Sequence, residues 1–135
     1  MNLKGFLKNN AIAPLMTEDF IVSPRFLDEN GNPIPFKLRL LNPKEITEIQ
    51  NSGLIDKGGK FEYDSKAMQL NLVVATIQEP DLLNAELLAS YGVNTPHELI
   101  NEMLTGAEFL KLVTKCMNMQ GLNQNINDKV KIAKN

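Results

Sequence analysis

Residues 25–41, RFLDENGNPIPFKLRLL, combine side-chain parity, turn chemistry and prolines in a pattern that points to a β-hairpin. Phe20, Val22 and Phe26 are apolar at even positions, and so are Ile34, Phe36, Leu38 and Leu40. Successive strand residues face opposite sides, so each run offers one apolar face and one polar face. The turn decides how the two runs pair. A two-residue Asn30-Gly31 loop would set Phe26 opposite Pro35 and split the apolar residues between faces. A three-residue loop, Glu29-Asn30-Gly31, pairs residue 28 with 32 and 26 with 34, which gathers the even positions on one face. It also places Gly31 at the left-handed position of the loop, where the missing Cβ removes the steric cost. In that register Pro33 and Pro35 fall at non-hydrogen-bonded pairs, whereas Pro24 falls at a bonded pair. Regular pairing is therefore expected to stop or bulge at Pro24.

Downstream the period becomes helical. Asn42-Pro43-Lys44-Glu45 has a capping residue, a first-turn proline and a glutamate suited to the helix dipole. It starts a helix expected to reach Gln50 or Asn51, with Ile46 and Ile49 inward and Ser52-Gly53 ending it. Residues 56–59, Asp-Lys-Gly-Gly, read as loop, and residues 60–63 as a short strand or extended link. Leu70, Val73, Val74 and Ile77 follow helical spacing between an Asp64 or Ser65 cap and Pro80. Leu83, Leu87 and Tyr91 define the next short helix, closed by Gly92. Thr95-Pro96-His97-Glu98 reads as a capping box before Leu99, Ile100, Met103 and Leu104, and Thr105-Gly106-Ala107-Glu108 repeats it before Phe109, Leu112, Val113, Cys116 and Met117. Residues 3–7 have the spacing of a short amphipathic helix. The expected class is α+β: an N-terminal β-hairpin or small antiparallel sheet, then a bundle of about four to five short helices. Residues 1–121 are expected to form one globular domain, with the hairpin region at 18–41 and a mainly helical part at 43–121. In residues 122–135, asparagines and a glutamine dilute Ile126, Val130 and Ile132, so this stretch reads as a weakly ordered tail.

A chain of 135 residues can bury roughly two-thirds of its unfolded surface without metals or disulfides. A net charge of −2 argues against general nucleic-acid binding, which needs a basic stripe to displace counterions. The charge is uneven: residues 61–128 carry nine acidic side chains against three lysines. Cys116 is the single cysteine, which fits a reducing cytoplasm. No apolar run approaches the ~20 residues of a membrane span, and Lys8, Asn9 and Asn10 interrupt the N-terminal apolar stretch before a signal-peptide core can form. A cytoplasmic protein is expected.

Residues with catalytic or ligating potential are sparse. His97, the single histidine, sits in a capping turn and reads as exposed. Cys116 lies in an apolar helical stripe, and with His97 it is too little for a zinc site. Residues 28–32 resemble the start of a calcium loop, but the twelfth position is Arg39 rather than a bidentate glutamate. Lys57-Gly58-Gly59-Lys60 lacks the order of a phosphate cradle and reads as a mobile loop. Glu98 and Glu102 lie one helical turn apart and are expected to face water. No catalytic, cofactor-binding or metal-binding residue is assigned, and the expectation is a protein that is not an enzyme.

The hairpin residues, followed in the same order by Pro80-Asp81-Leu82, the ELLASYGV of residues 86–93 and Glu102-Met103-Leu104, resemble the XkdN-like family of phage tail assembly chaperones. The resemblance spans most of residues 1–121, with departures at Leu88 and at Thr105-Gly106-Ala107-Glu108. It implies a non-enzymatic protein of the host cytoplasm, used during tail morphogenesis and absent from the finished virion. Its implied partners are the tape measure protein, the tail tube protein and a longer, frameshifted form of itself. Ala133-Lys134-Asn135 permits codons on which a ribosome slips back by one base. Sheltering another chain's amphipathic helices asks for an adaptable apolar groove. Met68, Met103, Met117 and Met119 are candidates for its lining, and each would equally fill a core. A structural tail component retained in the virion, or an adaptor or regulatory protein unrelated to assembly, would share this size, charge and fold class.

Overall fold

A computed structural model describes residues 2–122. Two short antiparallel sheets accompany five α-helices, so the class is α+β as expected. The first sheet contains β1 (Thr17–Phe20), β2 (Phe36–Arg39) and a third strand, β5 (Ile77–Glu79), in the order β1-β2-β5. The second is a hairpin of β3 (Leu54–Lys57) and β4 (Lys60–Tyr63). The helices are α1 (Pro43–Asn51), α2 (Ser65–Thr76), α3 (Ala85–Ser90), α4 (Pro96–Met103) and α5 (Gly106–Met119).

The turn register deduced from parity is present. The N–H of Asp28 donates to Asn32 O (2.8 Å), that of Ile34 to Phe26 O (2.8 Å), and Leu27 bridges Pro33 between them. Gly31 is left-handed, with φ +79°. Asp28 holds the loop by accepting the N–H groups of Asn30 and Asn32 on one carboxylate oxygen, at 2.9 Å each. It is a turn-forming side chain.

The hairpin does not continue as one ladder. Around Pro24 the chain leaves regular pairing, and when it resumes Phe20 is opposite Phe36 and Thr17 opposite Arg39. The register has moved by four residues, an even number, so the apolar parity survives. Phe36 and Leu38 are buried, while Ile34 remains 46% exposed. Ile34, on the same apolar face, borders a surface recess.

Four further expectations need correction. The helix through Val74 ends at Thr76, and Ile77 begins β5, which pairs antiparallel with β2. The buried face of α2 is Met68, Leu72, Val73 and Thr76, with Leu70 and Val74 only half-buried. This helix packs against α1, α4 and α5 together, so apolar residues occur around much of its circumference and their spacing alone could not fix the inward side. Leu82 is buried and Leu83 is exposed and outside α3, because Asn84 caps that helix by accepting the Leu87 N–H. Residues 56 and 57 belong to β3 rather than a loop. Only Gly58 and Gly59, both at positive φ, turn the chain, so the glycine pair forms a tight hairpin turn where a mobile loop was expected.

The helix starts follow their caps. Asn42 and Glu45 form a reciprocal capping box, as do Thr105 and Glu108. At α4 the box is half made: Thr95 accepts the Glu98 N–H, but Glu98 turns to the Thr95 hydroxyl. Leu38, Leu72, Leu99 and Leu112 are fully buried and Ile100 nearly so, each contributing about 1.5–3 kcal/mol of apolar burial. Gln120 joins the end of α5 to the sheet, donating to Arg39 O (2.8 Å) and accepting from the Leu41 N–H (3.0 Å). Leu122, placed in the expected tail, packs on the core. The rest of that tail lies outside the described residues. Residues 3–7 form a single 3₁₀ turn, Lys4–Phe6, with no buried side chain.

Candidate functional site

The chemistry-bearing side chains stay apart. Among the described residues no group of three or more His, Cys, Asp or Glu could hold a metal ion. His97 is exposed, with its Nε2 2.7 Å from Asn71 Oδ1. Cys116 is fully buried on the inner face of α5, and burial pushes its thiol up to about 12, which keeps it protonated and unreactive. Glu98 and Glu102 are exposed, as expected.

Two apolar concavities are the more substantial features. The first, a recess of about 360 Å³, lies between the N-terminal hairpin and the helices. Phe26, Ile34 and Phe36 form one wall, and Pro80, Leu87 and Met103 the other, with Glu79 as the one charged lining residue. The even parity that defined the hairpin face therefore built half of this site. Its other wall comes from three separate segments that only the fold brings together.

An ion pair braces the hairpin side. Arg25 donates to both carboxylate oxygens of Glu108, at 3.0 Å from Nε to Oε2, and to Met103 O at 3.0 Å. Glu108 simultaneously accepts the Thr105 N–H. Hydrogen bonds from Arg25, Ser23 and the Thr105 backbone hold the Glu108 carboxyl far below the ordinary carboxylate range. The Arg25 guanidinium also lies 4.9 Å from the Phe26 ring centroid, fixing the ring that faces the recess.

The second concavity, about 540 Å³, is a groove between α2 and the α4–α5 corner. Ala67, Leu70, Phe109 and Leu110 supply its apolar floor, with Asp64 and Lys66 at its border. Leu110 is 63% exposed, a large apolar side chain left facing water on α5. Leu70 and Phe109, members of the apolar helical stripes, are half-buried against the core, while Leu110 falls outside the periodic stripe and was missed. Of the four methionines considered for a binding surface, Met68 and Met103 are core residues, Met103 also backing the first recess. Met117 and Met119 are half-buried against the core. No helix among the described residues is long and apolar enough to cross a membrane.

The model of the phage XkdN-like tail assembly chaperone family matches residues 3–134. This chain belongs to that family. Two Bacillus subtilis (strain 168) proteins are similar over 120 residues. YqbN, described as an uncharacterized protein, is 27% identical over 84% of this chain and 80% of its own length. The phage-like element PBSX protein XkdN is 26% identical over 84% of this chain and 81% of its own. The crystal structure of YqbN superposes with a TM-score of 0.74, covering 90% of this chain and 97% of that one at 24% identity, which supports the fold. The XkdN-like match thus extends through the tail residues beyond the hairpin and helix motifs that first suggested it.

Proposed function

We propose that this tail assembly chaperone acts without catalysis, by binding the tape measure protein and covering its apolar helical segments until the tail is built. The observation that carries this reading is the groove between α2 and α5, with Leu70, Phe109 and exposed Leu110 on its floor. An amphipathic helix buries its apolar stripe best in a concavity flanked by helices, and the charged border of Asp64 and Lys66 suits that helix's polar edges. The chaperone would work in the host cytoplasm and be left out of the mature virion. Tail tube protein and a frameshifted longer form of the chain are further partners on this reading.

Affinity-tagged chaperone purified from cells assembling phage tails tests the proposal. The tape measure protein should co-purify with it, and mass spectrometry of finished particles should find no chaperone. Its recovery in particles at stoichiometric amounts would instead mark a structural tail component. Purification without any tail protein would favour an unrelated adaptor.

A further inference from the structure

The turn that closes the N-terminal hairpin carries a chemically reactive step. Asn30-Gly31 is the one Asn-Gly pair in the sequence, and both residues are exposed. A backbone amide nitrogen can attack the side-chain carbonyl of an asparagine that precedes it. A side chain on the attacking residue hinders that approach, and glycine has none. Space around Gly31 is open as well, since a Cβ there would meet nothing within 4 Å.

The same turn restrains the reaction. The attacking group, the Gly31 N–H, donates to Asp28 O at 3.0 Å. The Asp28 carboxylate accepts the Asn30 and Asn32 N–H groups at 2.9 Å each, holding the turn around that bond. Attack requires the Gly31 nitrogen to leave Asp28 and approach the Asn30 side chain, so the turn must open first. An exposed loop opens locally at far less cost than global unfolding.

We propose that Asn30 is a site of spontaneous modification, attacked by Gly31 to form a cyclic imide at a rate that Asp28 limits. The Gly31 nitrogen gives its proton to water as it bonds to Asn30 Cγ. The Cγ–Nδ2 bond breaks, and the departing nitrogen takes a proton from water and leaves as ammonia. Water then opens the imide. Opening at Cγ gives aspartate, whereas opening at the backbone carbonyl gives isoaspartate, whose main chain runs through the former side chain. Either product adds a negative charge beside Asp28 and Glu29. Isoaspartate also lengthens the main chain inside the loop, which breaks the pairing of residue 28 with 32. That pairing holds Phe26 and Ile34 on the wall of the recess.

The full-length chain, aged in mildly alkaline buffer and sampled by peptide mass spectrometry, tests this. Asn30 should convert before every other asparagine, with aspartate and isoaspartate both found there. Asp28→Ala should speed conversion about tenfold, as the loss of charge-assisted hydrogen bonds implies. Asp28→Asn keeps an acceptor oxygen and should stay close to the unmodified rate. Gly31→Ala should convert severalfold more slowly although it weakens the turn, because the new Cβ hinders attack. A loop that was merely loose would give Gly31→Ala the opposite sign. The proposal is overturned if another asparagine converts first, or if Asp28→Ala leaves the rate unchanged or is matched by Asp28→Asn. It is equally overturned if Gly31→Ala converts as fast as the unmodified chain.

Discussion

Arg25 and Glu108, 83 positions apart, are joined by two hydrogen bonds that lock the N-terminal hairpin to the first turn of α5. The same carboxylate completes the capping box with Thr105, so one side chain both starts a helix and anchors a loop. Only 14% of the Glu108 side-chain surface is exposed, against 48% for Arg25, so the glutamate is the shielded partner.

That pairing makes stability depend on acid pH. The folded-state carboxyl titrates well below its unfolded value, so its contribution is complete above the unfolded pKa of about 4.3 and is lost as pH falls further toward the folded pKa. Glu45, lowered by Arg39 and the Asn42 backbone, acts in the same direction. The urea midpoint should therefore drop as pH is lowered from about 5 towards 3, following protonation of the unfolded chain. Glu108→Gln should start lower at neutral pH and show a shallower drop.

The fully buried leucines should dominate stability. Leu72→Ala on α2 and Leu99→Ala on α4, both 0% exposed in the native protein, should each cost about 2–5 kcal/mol. Urea unfolding with an unchanged slope is the readout. A cost below 1 kcal/mol at both sites would contradict the packing described.

The loop register makes a backbone prediction. Gly31→Ala places a Cβ at φ +79° in open space, so the cost is conformational alone, about 1–2 kcal/mol. Gly31→Asn should cost less, since asparagine tolerates that conformation. At Gly53 the problem is space: an added Cβ would lie 2.8 Å from the Tyr63 ring and 2.9 Å from Asp64 O. Gly53→Ala should thus destabilise the junction of the β3–β4 hairpin with α2, seen as faster amide exchange at residues 54–63.

Cap removal separates the complete boxes from the partial one. Asn42→Ala and Thr105→Ala should each lower stability by about 1 kcal/mol, and Thr95→Ala by somewhat less, because Glu98 does not close the second half of its box. Thermal unfolding of the three variants ranks them.

The parts of the fold legible in the sequence are those whose signals are local. Gly31 and the even parity of Phe26, Ile34 and Phe36 fix a turn register, and Asn42, Thr95 and Thr105 mark helix starts. Strand β5 was hidden because Ile77 follows helical spacing from Val73, and Pro80 announces an ending without saying what ends. Of the β3–β4 hairpin, residues 60–63 read as a short strand or extended link, but β3 was hidden because every residue of it is exposed, which erases the burial alternation that identifies a strand. The recess was half legible, through its hairpin wall. Pro80, Leu87 and Met103 reach it only by tertiary packing, and Leu110 lies outside the stripe that identifies α5.

Co-production with the cognate tape measure protein tests the central claim most directly, comparing no chaperone, the unmodified chaperone and a Leu110→Asp variant that changes one exposed groove residue. The tape measure protein should be insoluble alone, recovered in the soluble fraction with the unmodified chaperone, and largely lost from it with Leu110→Asp. Equal recovery in all three samples would contradict the account, and full recovery with Leu110→Asp would remove the α2–α5 groove as the binding surface.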